Sequence, residues 1–452
     1  MKLVILGGGG FRVPLVYGAL LGDRAEGRVT EVVLHDLDAG RLRAVARVLA
    51  EQAIGVPDAP AVTATTDLDE ALRGADFVFS AIRVGGLEGR AADERVALAQ
   101  GVLGQETVGA GGIAYGLRTV PVAVDIARRV RQLAPDAWVI NFTNPAGLVT
   151  EAMSRHIGDR VIGICDSPVG LGRRVARILG GNPDEAFIDY VGLNHLGWLR
   201  GLRIAGRDEL PRLLGDAELL GSFEEGRLFG AEWLQSLGSI PNEYLHYYYF
   251  NREAVHAYQQ AEQTRGAFLR DQQSRFYEEL RHPEGPAGTV PSALKAWDAT
   301  RAEREATYMA ENREAAGVGE RAAEDLESGG YEKVALALMR AIARDERTTL
   351  ILNVRNRTTL SALDADAVIE VPCSVDANGA HPMAVDPLPG HATGLVCAVK
   401  AVEREILSAA ESGSRVTAVK AFALHPLVDS VAVARRLMEG YGEVHPGLGY
   451  LA

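Results

Sequence analysis

The sequence predicts an α/β fold in which a parallel sheet over residues 1–190 is followed by a C-terminal α+β domain over residues 191–452. Three observations predict it. Short Val- and Ile-rich runs alternate with amphipathic stretches through the first 190 residues, the pattern of βαβ units whose strands are buried on both faces. Four glycines, Gly7, Gly8, Gly9 and Gly10, follow the first run directly and precede a helix. Beyond about residue 190 the alternation gives way to longer, charged helical stretches.

Taken in order, the runs of strand length are 2–6, 31–35, 61–65, 76–81, 137–142 and 160–165. Between most of them lie helical stretches such as 39–53 and 120–134. In the second half, a charged, aromatic-bearing stretch covers 223–326, and further helices are expected at 331–345 and 393–411. Gly and Pro clusters at 282–288 and 380–390 read as loops. There is no fixed-period repeat and no low-complexity tract.

Composition narrows the function classes. With 47% apolar and 24% charged residues the chain matches the globular average. The formal charge of −13 repels nucleic acid and anionic membranes, so a phosphorylated ligand requires a local cationic pocket. Three scattered cysteines, Cys165, Cys373 and Cys397, make no disulfide framework and suit a reducing compartment, with the cytoplasm as the default. No apolar run approaches the ~18 residues of a membrane span, so neither export nor insertion is expected.

The glycine run bends the chain where a Rossmann-like fold receives a pyrophosphate, because glycine lets backbone N–H groups approach phosphate oxygens at a helix N-terminus. Arg12 stands at the helix-packing position of the G-x-G-x-x-G fingerprint, so the match is partial. Asp36, just after the second strand, is placed to accept from adenosine ribose hydroxyls, which favours NAD over NADP.

Further motifs run in order along nearly the whole chain: GGGGFRVP at 7–14, IRVGGLEGR at 82–90, GQETVGAGG at 104–112, LRTVPV at 117–122, NFTNPAGLVTEA at 141–152, VIGICDSPVG at 161–170, VGLNHLGW at 191–198, tyrosines from 244 to 249, LNVRN at 352–356 and EVPCSVDANGAHPM at 370–383. On these motifs the chain resembles glycoside hydrolase family 4, the NAD- and metal-dependent glycosidases, and within it the 6-phospho-β-glucosidases. The resemblance implies hydrolysis of 6-phospho-β-glucosides such as cellobiose 6-phosphate. In that mechanism NAD+ oxidises the sugar C3 hydroxyl, a base removes the acidified C2 proton, the aglycone leaves from C1, water adds, and NADH returns the hydride, outside the usual two-carboxylate scheme.

The resemblance also implies residue roles. Cys165 and His195 match the metal ligands, usually of Mn2+, and Tyr244 matches the base at C2. Asn144 contacts the sugar hydroxyls beside the metal, and Glu106 matches an acid near it. Arg83 and Arg90 flank a Gly-Gly loop after the fourth strand, and Arg90 matches the arginine that holds the 6-phosphate with its planar fork. Tyr247, Tyr248, Tyr249 and Phe250 read as an aromatic stripe in the core. Asp166 departs from the β-specific pattern, where Asn is typical; the α-specific enzymes carry Asp there as a general acid. The expected partner is a small phosphorylated disaccharide or glycoside, with no nucleic acid or membrane, in a homo-oligomer such as a dimer or tetramer. The competing classes are an NAD-dependent 2-hydroxy-acid dehydrogenase, which requires no Cys165 and His195 pair, and a catalytically silent NAD-binding sensor.

Overall fold

The computed structural model describes residues 1–281, 292–318 and 330–452. The loop expected at 282–288 lies outside the described residues, as does part of the stretch expected over 223–326.

Six parallel strands form in the order in which their sequences predict them. They are β1 (Lys2–Leu6), β2 (Glu31–His35), β3 (Ala61–Thr65), β4 (Phe77–Ser80), β5 (Trp138–Asn141) and β6 (Val161–Gly163). Their spatial order is β3-β2-β1-β4-β5-β6, the Rossmann arrangement, in which ligands bind beyond the carboxyl ends of the strands. All four residues of β4 are buried, as are Leu3 to Leu6 of β1, because helices cover both faces. Two of those helices begin on sequence signals: Pro14 opens Val13–Leu21, and Asp38 caps Ala39–Gln52 by accepting from the backbone N–H groups of Gly40 and Arg41.

The C-terminal half continues the same sheet with antiparallel strands. These are β7 (Phe187–Leu193), β8 (Leu196–Ile204), β9 (Arg207–Asp208), β10 (Ile240–Pro241), β11 (Thr348–Arg355), β12 (Val368–Asp376) and β13 (Gly379–Pro382). β11 pairs with β6 through Asn353 and Gly163, and β12 pairs with β7 through Glu370 and Gly192. Among the described residues thirteen strands therefore share one sheet, and β7 runs across position 190 without interrupting it.

Two expected elements change. The helix expected over 120–134 is Gly109–Leu133, eleven residues longer at its start, despite the glycines and an internal Pro121. Those glycines serve contact rather than breakage: a Cβ at Gly111 would sit 2.3 Å from the Gln105 carbonyl oxygen, and one at Gly112 would sit 2.5 Å from the Thr107 carbonyl carbon. The loop expected over 380–390 begins instead as β13, which pairs with β12, and its last residue starts the helix Gly390–Ser412.

Candidate functional site

A cleft of about 1610 Å³ opens at the carboxyl ends of β1, β4, β5 and β6. Drug-sized pockets run to roughly 1,000 Å³, so this cleft has room for two ligands side by side. Of the expected residues, Gly7, Gly10, Asp36, Arg83, Glu106, Asn144, Cys165, Asp166, His195 and Tyr244 all line it.

At one end lies the glycine loop. Gly7 has φ +79°, and a Cβ there would lie 2.6 Å from the Ala81 carbonyl oxygen, so both the backbone turn and the space demand glycine. Gly8 and Gly9 do not form the cleft wall; a Cβ on Gly9 would strike the Arg41 side chain at 2.7 Å. Asp36 accepts from the Gly9 N–H at 3.0 Å, tying the acid after β2 to the loop after β1. Arg12 stands where a third fingerprint glycine is usual because its guanidinium is used: it lies over the Phe142 and Tyr331 rings, whose centroids are 5.7 and 5.2 Å away.

The two expected arginines separate. Arg83 reaches the cleft and pairs with Glu106 at 2.6 Å. Arg90 is buried on the helix Gly86–Ala99, bonds Glu94 and Glu106 at 3.0 Å each, and is absent from the cleft wall. Arg90, expected to grip a phosphate, thus turns its Nε and Nη1 to two carboxylates in this structure rather than to the cleft. Burial alone would raise the Glu106 pKa, but Arg83 and Arg90 outweigh it and hold the carboxyl well below the ordinary range. The less compensated cation is Arg304. Burial first, then the neighbouring Arg12 and Arg265, push its pKa well down, as expected where cations crowd without enough anion.

At the other end, Cys165 follows β6, and His195 lies in the two-residue turn between β7 and β8. His195 has φ +60°, a conformation a turn normally gives to glycine. Burial pushes its imidazole down to about 4, so the ring is neutral and has a lone pair for a metal. Burial, aided by Glu370 and Asp166, pushes the Cys165 thiol well up; a cation beside it would favour the thiolate. Asn144, joined to Pro145 by a cis peptide, has a buried Oδ1 with no hydrogen-bond partner. No cluster of three or more His, Cys, Asp or Glu gathers among the described residues. Cys165 and His195 line the same cleft, and a soft sulfur and an imidazole nitrogen are donors that suit a transition metal.

Tyr244 stacks on the His195 ring with centroids 3.8 Å apart and planes inclined by 7°. Burial first and then Glu243 push its phenol well above the ordinary value, while the Tyr308 hydroxyl donates to Tyr244 Oη at 3.1 Å. Of the aromatic stripe, Tyr247 is buried, and Tyr248, Tyr249 and Phe250 are half-buried against the core. Sequence reasoning missed Tyr308, Arg304 and Glu243. Glu243 accepts from the Ser167 hydroxyl at 2.7 Å, and burial raises its carboxyl to about 7. Only Glu243 carried a signal, its place beside Tyr244; Arg304 and Tyr308 stand in a charged helical stretch like any other.

Residues 2–181 match the family described as Family 4 glycosyl hydrolase, and residues 190–428 match the Family 4 glycosyl hydrolase C-terminal domain. A probable 6-phospho-β-glucosidase of Bacillus subtilis is 31% identical, over 98% of this chain and 96% of that protein. The solved 6-phospho-β-glucosidase of Thermotoga maritima, with manganese, NAD+ and glucose-6-phosphate, superposes with a TM-score of 0.81 at 26% identity over 98% of each chain. A 6-phospho-α-glucosidase from gut microorganisms, solved with NAD and glucose-6-phosphate, gives a TM-score of 0.80 at 27% identity over 100% of this chain and 99% of that one.

Proposed function

The chain belongs to family 4 of the glycosyl hydrolases, and from that premise we propose that it hydrolyses 6-phosphoglucosides, with β-linked substrates preferred, using NAD+ and Mn2+. The single observation that carries this reading is the convergence of Cys165, His195 and Tyr244 with the glycine loop on one cleft. The β preference rests on the motifs shared along the chain and on the B. subtilis relative.

The dinucleotide supplies a reversible hydride acceptor for the sugar C3, and the metal supplies a Lewis acid for the sugar oxygens. The rest of the chemistry belongs to the chain. The turn at Gly7 and Gly10, which line the cleft, seats the pyrophosphate close to the backbone at the N-terminus of the helix Val13–Leu21, and Asp36 accepts from the ribose. Cys165 and His195 hold the metal, and Asn144 orients the hydroxyls at C2 and C3. Tyr244 Oη takes the C2 proton, and Tyr308, by donating to that oxygen, lowers the cost of the phenolate. Asp166 gives a proton to the departing aglycone oxygen. Arg304 and Arg12 receive the 6-phosphate, with Arg83 and Glu106 shaping that wall. Residues 1–190 thus carry the dinucleotide and supply Arg12, and residues 191–452 supply His195, Tyr244 and Arg304. The chain works without a membrane, in the cytoplasm, as a homo-oligomer.

One observation favours α-linked substrates: Asp166 itself, which lines the cleft at the start of the helix Ser167–Ile178. A panel of α- and β-linked p-nitrophenyl glucosides, with and without 6-phosphate, decides between the anomers. In D2O the released sugar should carry deuterium at C2, and activity should vanish after chelator and charcoal treatment and return with Mn2+ and NAD+. Product without C2 deuterium refutes the oxidative route.

A further inference from the structure

Thr107, Asn194 and His195 border a small second cavity of about 40 Å³. There the hydrogen bonds leave little freedom. Gln105, which is buried, accepts at Oε1 from the backbone N–H of Thr107 at 2.7 Å and of Val108 at 2.9 Å. Backbone N–H groups can only donate, so this atom is the amide oxygen and can only accept. The Thr107 hydroxyl lies 3.0 Å from the same oxygen, a contact that is favourable only if the hydroxyl donates. Its one proton is then used, and Thr107 Oγ1, 2.8 Å from His195 Nδ1, is left as an acceptor. A neutral imidazole carries one N–H, so that proton sits on Nδ1.

We propose that Gln105 and Thr107 are positioning residues that fix His195 as its Nδ1–H tautomer and so leave Nε2 as the one ring nitrogen with a lone pair for a metal. The ring is held on its face as well, by the Tyr244 stack, and its backbone is confined to φ +60°. The chain positions the relay itself: the close seat of Gly111 and Gly112 on residues 104–107 lets the helix Gly109–Leu133 pack against the segment carrying Gln105 and Thr107. Outer partners of this kind commonly change metal affinity about 10- to 100-fold when removed. The inference rests on the proposed role of His195 in metal binding, although the tautomer itself does not.

Two measurements test it. Two-bond ¹H–¹⁵N NMR of the metal-free chain near neutral pH, with His195 assigned by its loss in His195→Gln, should show Nδ1 protonated in the wild type and in Thr107→Ser. Thr107→Val, which keeps the shape and loses the hydroxyl, should lose that fixed tautomer. With NAD+ present, Mn2+ affinity measured by the EPR signal of free Mn2+ should weaken about 10- to 100-fold in Thr107→Val and stay within about threefold in Thr107→Ser. An Nε2–H ring in the wild type, or wild-type Mn2+ affinity in Thr107→Val, overturns the relay. Should His195→Gln bind Mn2+ as tightly as the wild type, the metal assignment fails instead, and the NMR spectra still decide the tautomer.

Discussion

At the glycine-loop end of the cleft, Gly7, Gly10 and Asp36 come from two neighbouring strand ends, and what they offer is a closely approachable backbone turn and one half-exposed carboxylate. At the His195 end, side chains from widely separated segments meet in a buried setting that raises the Tyr244 phenol and the Cys165 thiol and lowers the His195 imidazole. The first end resembles a handle, whose strength adds up from ordinary hydrogen bonds. The second gathers groups whose ionisation depends on one another, as expected where burial amplifies each charge. Substitutions at the two ends should therefore differ in kind as well as size.

The largest expected effect sharpens this contrast. Tyr244→Phe should lower turnover about 10²- to 10⁴-fold, the range for a positioned acid or base, while NAD+ affinity by fluorescence titration stays within about twofold. A comparable loss of NAD+ affinity would show that the ends are not separable.

Next come the two arginines. Arg90→Ala leaves the buried Glu94 without its ion partner, while Glu106 keeps Arg83, and should cost about 3–5 kcal/mol of folding stability in urea denaturation. Arg304→Ala removes a cation crowded by other cations, so stability should hold or rise. Its loss should fall on phosphorylated substrates, by about 2–5 kcal/mol in kcat/KM, with little change for unphosphorylated ones. Equal losses on both substrates would make Arg304 structural.

A pH effect follows from Glu370, fully buried between Asn194 and Asn353, whose side chains donate to it. Burial raises this carboxyl from 4.5 to about 8. The folded state therefore holds a proton that the unfolded chain releases, so the contribution is complete below about pH 4.5 and is lost as pH rises through 8. In the metal-free protein, Glu370→Gln should match the wild type near pH 4.5 and exceed it by on the order of 2–4 kcal/mol near pH 8. Parallel pH curves for the two proteins would place the titration elsewhere.

The smallest effect belongs to the handle. Asp36→Asn should weaken NAD+ by roughly 1.5–3 kcal/mol, the scale of a hydrogen bond to a charged group, and leave turnover at saturating NAD+ nearly unchanged. A fall in saturated turnover would mean that the loop tied through Gly9 also positions the chemistry.

Much of the N-terminal half was legible in the sequence because its determinants are local. The six parallel strands were visible as β-branched runs, and the glycine turn and Asp36 are set by residues adjacent in the chain or one βα unit apart. The start of the helix at Gly109 was not legible, because its glycines read as breakers until the 104–107 segment is seen packed against them. The motifs also brought Cys165, His195, Asn144 and Tyr244 to notice, and all four line the cleft.

The sequence by itself determined the strand order's raw material, the glycine turn and the residue types available for chemistry. Only the tertiary structure decided which arginine is spent on carboxylates and which is crowded among cations, and that Tyr308 reaches the Tyr244 oxygen from 64 residues away. It also decided that His195 meets Thr107 across 88 residues. The reason is physical: periodicity and turn chemistry act over a few residues, whereas a side chain's charge state and hydrogen-bond role depend on what the fold brings within about 4 Å of it.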